Sequence, residues 1–143
     1  MRSRALVVAA LATAIGVMAC RAVPIRNVYQ TQITPPESMS DAALLDSFRR
    51  AGAETGWVIR PVAPGELEGR LTVHGRHLAV VTIVYDRTQF SIQYKNSENL
   101  LYDGVHIHRN YNRWVQNLEK NIREAVNLYP ADEGMEVPSS LTR

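Results

Sequence analysis

The feature that most restricts the fold of this chain is a series of four strand patterns between residues 57 and 95, joined by short turns. The turns are Pro64-Gly65, Gly75-Arg76 and Asp86-Arg87-Thr88. Pro and Gly pairs punctuate extended structure, and connections this short join antiparallel neighbours. The sequence therefore predicts a four-stranded antiparallel meander.

The four patterns differ in how they are expected to be buried. Pro61 favours an edge position for the first strand, residues 57–63. The third, residues 77–85, is apolar on both parities, which predicts a central strand covered on both faces or an exposed apolar patch on one. The polar alternate residues predict an open sheet face that carries Arg70, Thr72, His74, Ser91, Gln93 and Lys95.

Two amphipathic helices flank the strands. Ser38-Met39-Ser40-Asp41 resembles a capping box with Asp41 in place of the usual Glu, and the helix that follows should stop by Gly56. The second helix is capped by Asn110 or His108 and ended by Pro130. Its apolar stripe comprises Tyr111, Trp114, Val115, Leu118, Ile122, Ala125, Val126 and Tyr129.

The order helix, four strands, helix predicts an α+β fold: a two-layer sandwich with both helices on one face of the sheet. The domain is expected to span residues 38–129. Residues 20–37 are polar and contain Thr34-Pro35-Pro36, which is typical of an extended tether. Residues 130–143 have little apolar content and are expected to form a flexible tail.

The first 19 residues have the pattern of a secretory signal peptide. Arg2 and Arg4 precede an uncharged, mostly apolar run from Ala5 to Ala19. A run of about 15 residues is short for a helix that crosses a bilayer, which disfavours a retained membrane anchor. Ordinary cleavage that leaves a free cysteine is the other alternative. Cys20 is the only cysteine in the chain, so no disulfide can form within it.

The segment Val17-Met18-Ala19-Cys20 resembles the lipobox of bacterial lipoproteins. That resemblance implies a diacylglyceryl group on the sulfur of Cys20, cleavage before Cys20 and acylation of the new amino group. The lipid membrane is then a partner through acylated Cys20. Arg21 does not look like an inner-membrane retention signal, which favours the outer membrane, with the domain facing the periplasm.

Removal of the leader also changes the charge balance. The net charge of +2 falls to about zero without Arg2 and Arg4, so no basic footprint for nucleic acid is expected. About 124 residues remain, enough for one domain with one core.

Two segments carry a further resemblance: Tyr94-Lys95-Asn96-Ser97-Glu98-Asn99-Leu100-Leu101-Tyr102-Asp103-Gly104, and Ile107-His108-Arg109-Asn110-Tyr111-Asn112-Arg113-Trp114-Val115-Gln116-Asn117-Leu118. Their amino-acid sequence is similar to that of a group of small uncharacterised proteobacterial lipoproteins. The resemblance implies an envelope lipoprotein. It implies no catalytic residue, cofactor or ligand.

The connection over residues 96–108 is the main candidate site, because it is longer than a hairpin needs and is rich in Asn, Tyr, Asp and His. Leu100, Leu101, Tyr102, Val105 and Ile107 are expected to pack, which would make it an ordered loop. The residues predicted to bind a partner or ligand are Lys95, Asn99, Tyr102, Asp103, His106, His108 and Arg109.

The histidines admit two interpretations. His106-x-His108, with His74 and His77 beside the Gly75-Arg76 turn, could share a metal only if two distant turns meet. Polar residues at strand ends explain them more simply, so no metal is predicted.

The functional prediction is a non-enzymatic binding or assembly module in the envelope, with a protein partner there and no cofactor. The chain contains no Gly-x-Ser-x-Gly elbow and no Gly-rich phosphate loop. The alternative is a small ligand-binding or hydrolytic periplasmic domain that uses the 96–108 loop.

Overall fold

The computed structural model of the protein describes residues 22–129. The leader, Cys20 and the expected tail over residues 130–143 lie outside the described residues, as does Pro130. In chain order the elements are β1 (Ala22–Pro24), β2 (Val28–Gln32), α1 (Asp41–Glu54), β3 (Trp57–Ala63), β4 (Glu66–Val73), β5 (His77–Tyr85), β6 (Gln89–Glu98), β7 (His106–His108) and α2 (Arg109–Asn127). Neither described helix is long and apolar enough to cross a membrane.

The predicted α+β class is confirmed, and the sheet is larger than predicted. Five antiparallel strands lie in the order β2-β6-β5-β4-β3, and β1 pairs with β7 in a separate two-stranded sheet. The meander β3 to β6 has the predicted order, and β3, which contains Pro61, is the expected edge strand. The two helices contact each other, and α1 also contacts β3.

The segment predicted as an extended tether contains two of the strands. β1 pairs with β7 with Ala22 opposite His108, and β2 pairs with β6 with Val28 opposite Ile92. Val28 and Ile33 are buried in the core, so the described part of this segment belongs to the domain. The physical reason is that these two apolar side chains gain free energy when they are buried in the core. The polar residues around them hide no strand from folding, but they make the segment look polar in the sequence.

The first helix begins two residues later than predicted. Ser40, not Ser38, is its N-cap, since the hydroxyl of Ser40 accepts a hydrogen bond from the backbone N–H of Ala43 at 3.1 Å. The helix ends at Glu54, followed by Gly56 with a φ of +82°, a left-handed conformation that glycine adopts at little steric cost.

The second helix is capped by His108, one of the two predicted caps. Its ring Nδ1 accepts a hydrogen bond from the backbone N–H of Asn110 at 3.2 Å. Leu118 is fully buried, as the stripe predicts, but Trp114 is only partly buried. The position of Trp114 is at the flank of the stripe, where the indole lines a surface cleft instead of packing wholly into the core.

The core lies between the sheet and the two helices. On β5 the side chains of Ala79, Val81 and Ile83 are fully buried on the helix side. On the opposite face Val80 is buried between its cross-strand neighbours Arg70 and Asn96, whereas Val84 is 48% exposed. The strand is therefore central, as predicted, with its outer face covered only in part.

Candidate functional site

The loop after β6 folds back along β7. The backbone N–H of His108 donates to the carbonyl of Leu100 at 2.8 Å, and that of Asp103 donates to the carbonyl of His106 at 3.2 Å. Leu100 and Ile107 are buried, so the loop is anchored to the core at both ends of this pairing.

Three apolar residues of the loop are exposed. Leu101 is 64% exposed, Val105 61% and Tyr102 39%. The prediction that all five apolar residues of the loop would pack is therefore wrong for Leu101 and Val105, whereas the ring of Tyr102 packs against that of Tyr94 with its centroid 4.2 Å away. Leu100 and Ile107 are the loop residues that are buried in the core, and the exposed side chains belong to the turn between them.

The loop also meets the turn between β4 and β5. Nδ1 of His77 donates to the carbonyl oxygen of Asn99 at 2.9 Å, and the side-chain amide of Asn99 donates to the carbonyl of Arg76 at 2.6 Å. These two hydrogen bonds hold two segments together that are more than 20 positions apart in the sequence.

A cleft of about 360 Å³ opens where these two segments meet the first turns of α2. We call it the histidine cleft. Its walls are formed by Val73, His74, His77, Asn99, Leu100, Leu101, His108, Asn110 and Trp114. It combines three imidazoles and two carboxamides with one indole face, so it can donate and accept hydrogen bonds beside an apolar surface.

Three non-glycine residues of this cleft have left-handed backbone conformations. The φ angles are +52° at His74, +56° at Asn99 and +55° at Leu101. His and Asn adopt this region fairly often, but a leucine there is a genuine outlier. Left-handed backbone at an L-residue costs roughly 1–2 kcal/mol. Such strain persists only when the surroundings hold it in place, and it clusters at functional sites.

Asp103 organises the tip of the loop. Its carboxylate accepts hydrogen bonds from the backbone N–H groups of His106 at 2.6 Å and Val105 at 2.9 Å. Those two bonds are the main cause of a pKa for Asp103 that is lowered to about 2. The ring of His106 lies 3.2 Å from the second carboxylate oxygen. Asp103 and His106 therefore build the turn itself.

The tyrosines form a row from the core to the surface. Tyr94 lies between Tyr111 and Tyr102, with ring centroids 5.8 Å and 4.2 Å away. The hydroxyl of Tyr111 is buried without a hydrogen-bond partner among the described residues, and burial raises the pKa of this phenol. Tyr102 is thus held by ring packing, with its hydroxyl donating to the carbonyl of Gly104.

Lys95 is separated from the rest of the predicted site. Its ammonium lies 2.7 Å from a carboxylate oxygen of Glu68 on β4, which also pairs with Arg70. The hydrogen bond from Lys95 is the largest cause of the lowered pKa of Glu68. The predicted open sheet face is present here, since Arg70, Thr72, Gln93 and Lys95 are exposed. His74 belongs to the cleft, and Ser91 is half-buried.

The structure thus divides the seven predicted residues into groups. Asn99 and His108 line the cleft, Tyr102, Asp103 and His106 form the loop, and Arg109 is exposed in the first turn of α2. The two distant turns do meet, but His74 and His77 join His108 and not His106. Within residues 22–129 no group of three or more His, Cys, Asp or Glu side chains is placed to hold a metal ion.

Seven of the nine cleft residues were not predicted as site residues, and two of these seven, Leu101 and Trp114, are apolar residues that were expected to pack. The apolar pattern assigns both to the core, and no signal in the sequence distinguishes them from packing residues. In comparisons with known proteins the chain matches no family model, no curated protein and no solved structure. The resemblance to small proteobacterial lipoproteins therefore stays a prediction from the sequence.

Proposed function

We propose that this chain is a lipid-anchored protein of the bacterial envelope, attached to the outer membrane through Cys20 and facing the periplasm. Its domain acts as a non-enzymatic binding module, and the histidine cleft is its recognition site. The anchor rests on the leader and the lone cysteine in Val17-Met18-Ala19-Cys20. The site rests on the structure of the cleft.

The observation that supports the binding site is the strained wall of the cleft. Leu101 is held at a φ of +55° with its side chain 64% exposed, so no burial of that side chain offsets the strain. The same stretch of backbone is fixed by the pairing of Leu100 with His108. The stability of the fold does not require a strained and exposed wall of this kind, and strained backbone clusters at functional sites.

The lining favours binding over hydrolysis. Among the described residues that line the cleft there is no carboxylate, hydroxyl, thiol or amine. His74 and His77 therefore have neither a nucleophile to activate nor a carboxylate to orient them among the described residues that line the cleft. Imidazole and carboxamide groups can instead form hydrogen bonds with a polar ligand, and the Trp114 ring can pack against a flat face of the same ligand. A sugar or a peptide with an aromatic side chain has both features.

The anchor is tested by the variant Cys20→Ala. We expect it to abolish acyl incorporation and to release the protein from membranes or block its processing. Acylation is measured by incorporation of a labelled fatty acid and by the mass of the mature chain. Thr13→Ala, within the same leader, is the control and should leave acylation unchanged. A wild-type chain that stays on membranes without added lipid would contradict the anchor.

The recognition site is tested by cross-linking in intact cells. A photoreactive amino acid is placed at His74 or Asn110, both in the cleft, or at Gln93, on the open sheet face. We expect cross-linked products from the first two positions and none from Gln93. Products from Gln93 alone would place the recognition surface on the open sheet face instead.

A further inference from the structure

The structure places the start of the described chain beside the base of the exposed loop. Ala22 lies opposite His108, and His108 in turn pairs with Leu100. The tip of the loop lies further along β1, where the backbone N–H of Ile25 donates to the carbonyl of Val105 at 2.9 Å. Ile25 follows Ala22 by three residues, so Val105 lies about 10 Å from Ala22 along the strand. Cys20 precedes Ala22 by two residues, which span at most about 7 Å. A lipid on Cys20 would therefore hold this end of the domain against the membrane surface.

This anchor-proximal end comprises β1, residues 99–106, β7 and the first turn of α2. It carries the three exposed apolar residues of the loop, Leu101, Tyr102 and Val105. Arg109 is exposed beside them and makes no ion pair with another described residue. Its charge matches the negative surface of a leaflet that contains anionic phospholipid.

The arrangement of this end has the properties of an interfacial membrane contact. Leucine and valine side chains gain free energy on leaving water, and tyrosine is suited to the headgroup level. The left-handed conformation of Leu101 and the Asp103-capped turn fix the loop in its outward position. In the described domain the side chains of Leu101 and Val105 remain more than 60% exposed to solvent.

From these observations we propose that the loop Leu101–Val105 inserts into the interface of the phospholipid leaflet that holds the lipid anchor. The inference rests on the proposed acylation of Cys20. One lipid anchor alone would not fix the orientation of the domain relative to the leaflet. The loop supplies a second contact, so that the domain stands in one orientation with the histidine cleft next to the leaflet.

The test uses the mature, acylated chain in vesicles of phosphatidylethanolamine and phosphatidylglycerol. Because Cys20 is acylated, a cysteine introduced by Leu101→Cys or Val105→Cys is the only free thiol, and it is labelled with an environment-sensitive fluorophore. The matched controls are Val62→Cys and Val84→Cys, since both valines are exposed. Val84 lies at the end of β5 that is far from His77, the residue that contacts the loop. Thermal unfolding checks that each variant is folded.

We expect brominated acyl chains to reduce the emission of the labels at 101 and 105 by about twofold or more, and to leave the labels at 62 and 84 unchanged. Leu101→Asp should restore most of the emission at position 105, whereas Val84→Asp should not. Both results follow if a charge in the loop opposes its insertion.

Three other outcomes would overturn the inference. A chain that carries no acyl group would remove the anchor and, with it, the inference. An acylated, vesicle-bound chain whose loop labels stay in water would overturn the membrane contact alone and leave the proposed function intact. Labels that are shielded from water but not quenched by brominated lipid would show that protein, such as a second copy, covers the loop.

Discussion

Leu118 and Leu101 show how differently two regions of this domain use the same side chain. Leu118 is fully buried in the core between the sheet and the helices, on a regular helix whose apolar stripe dictates that position. Leu101, at the anchor-proximal end, is 64% exposed on a left-handed backbone. Burial accounts for the first position, whereas the second has no such compensation within the described domain.

The comparison indicates where stability and recognition lie. The core satisfies the rule that apolar side chains leave water, and its packing provides most of the favourable free energy. The anchor-proximal end departs from that rule at several neighbouring residues. Departures of this kind are expected at functional sites. Substitutions in the two regions should therefore have effects that differ in size and sometimes in sign.

The largest difference is expected between Leu118→Ala and Leu101→Ala. Leu118→Ala should lower the free energy of unfolding by about 2–5 kcal/mol, because it removes a fully buried side chain and leaves a cavity. Leu101→Ala should change that free energy by less than about 0.5 kcal/mol, as at ordinary surface sites. Urea titration followed by circular dichroism measures both. A loss below about 0.5 kcal/mol for Leu118→Ala would mean that the helix faces the core differently.

A smaller and opposite effect is expected where the tyrosine row joins the two regions. Tyr111→Phe should raise the free energy of unfolding by about 1 kcal/mol, because it removes a buried hydroxyl that has no partner among the described residues. Tyr94→Phe is the control: its hydroxyl lies 3.0 Å from that of Ser97, so its loss should be destabilising by about 1 kcal/mol. Equal signs for the two variants, measured by thermal unfolding, would refute this account.

Relief of strain gives a smaller effect again. Leu101→Gly removes a left-handed strain of about 1–2 kcal/mol but adds about 0.5–1 kcal/mol of backbone entropy to the unfolded state. The net expected gain is about 0.5 kcal/mol, measured by urea titration. Leu100→Gly, one residue earlier and buried, should instead be strongly destabilising. A loss of stability for Leu101→Gly would show that the exposed side chain contributes to the native fold.

The smallest effect is local and depends on pH. The pKa of Asp103 is lowered to about 2 in the folded chain from an ordinary value of 3.8. The contribution of its carboxylate to the turn is therefore complete above the ordinary pKa, and it is lost as the pH falls from there through about 2. The amide resonances of Val105 and His106 should report that transition by NMR. Asp103→Asn should abolish it, and a midpoint near 3.8 would contradict the capped turn.

The regular part of the fold could be predicted from the sequence because its periods are unbroken. The bounds of β3 and β5 match the predicted patterns, since turn residues stand on both sides of each. β2 was not predicted. A shift in register between Val28 and Thr31, with Gln30 at a φ of +53°, breaks the alternation that identifies a strand.

The candidate site could be predicted only in part. Asn99 and His108, both predicted from the composition of the 96–108 connection, line the same cleft. Periodicity says which residues are apolar but not which way an irregular loop projects. Leu101 and Trp114 were therefore expected to pack. Lys95 was grouped with the loop residues as a binding residue, although its charge partner Glu68 lies on the neighbouring part of the sheet.

The N-terminal strands also bear on the order in which this chain can fold. The carbonyl of Pro24 accepts a hydrogen bond from the side chain of Asn112, 88 positions later, and Asn27 accepts one from the backbone of Tyr94, 67 positions later. The hairpins from β3 to β6, in contrast, are local and close short loops. A chain that emerges from its N-terminus must therefore keep β2 unpaired until β6 is present and β1 unpaired until β7 is present, so the first strands to appear pair after the local hairpins can form.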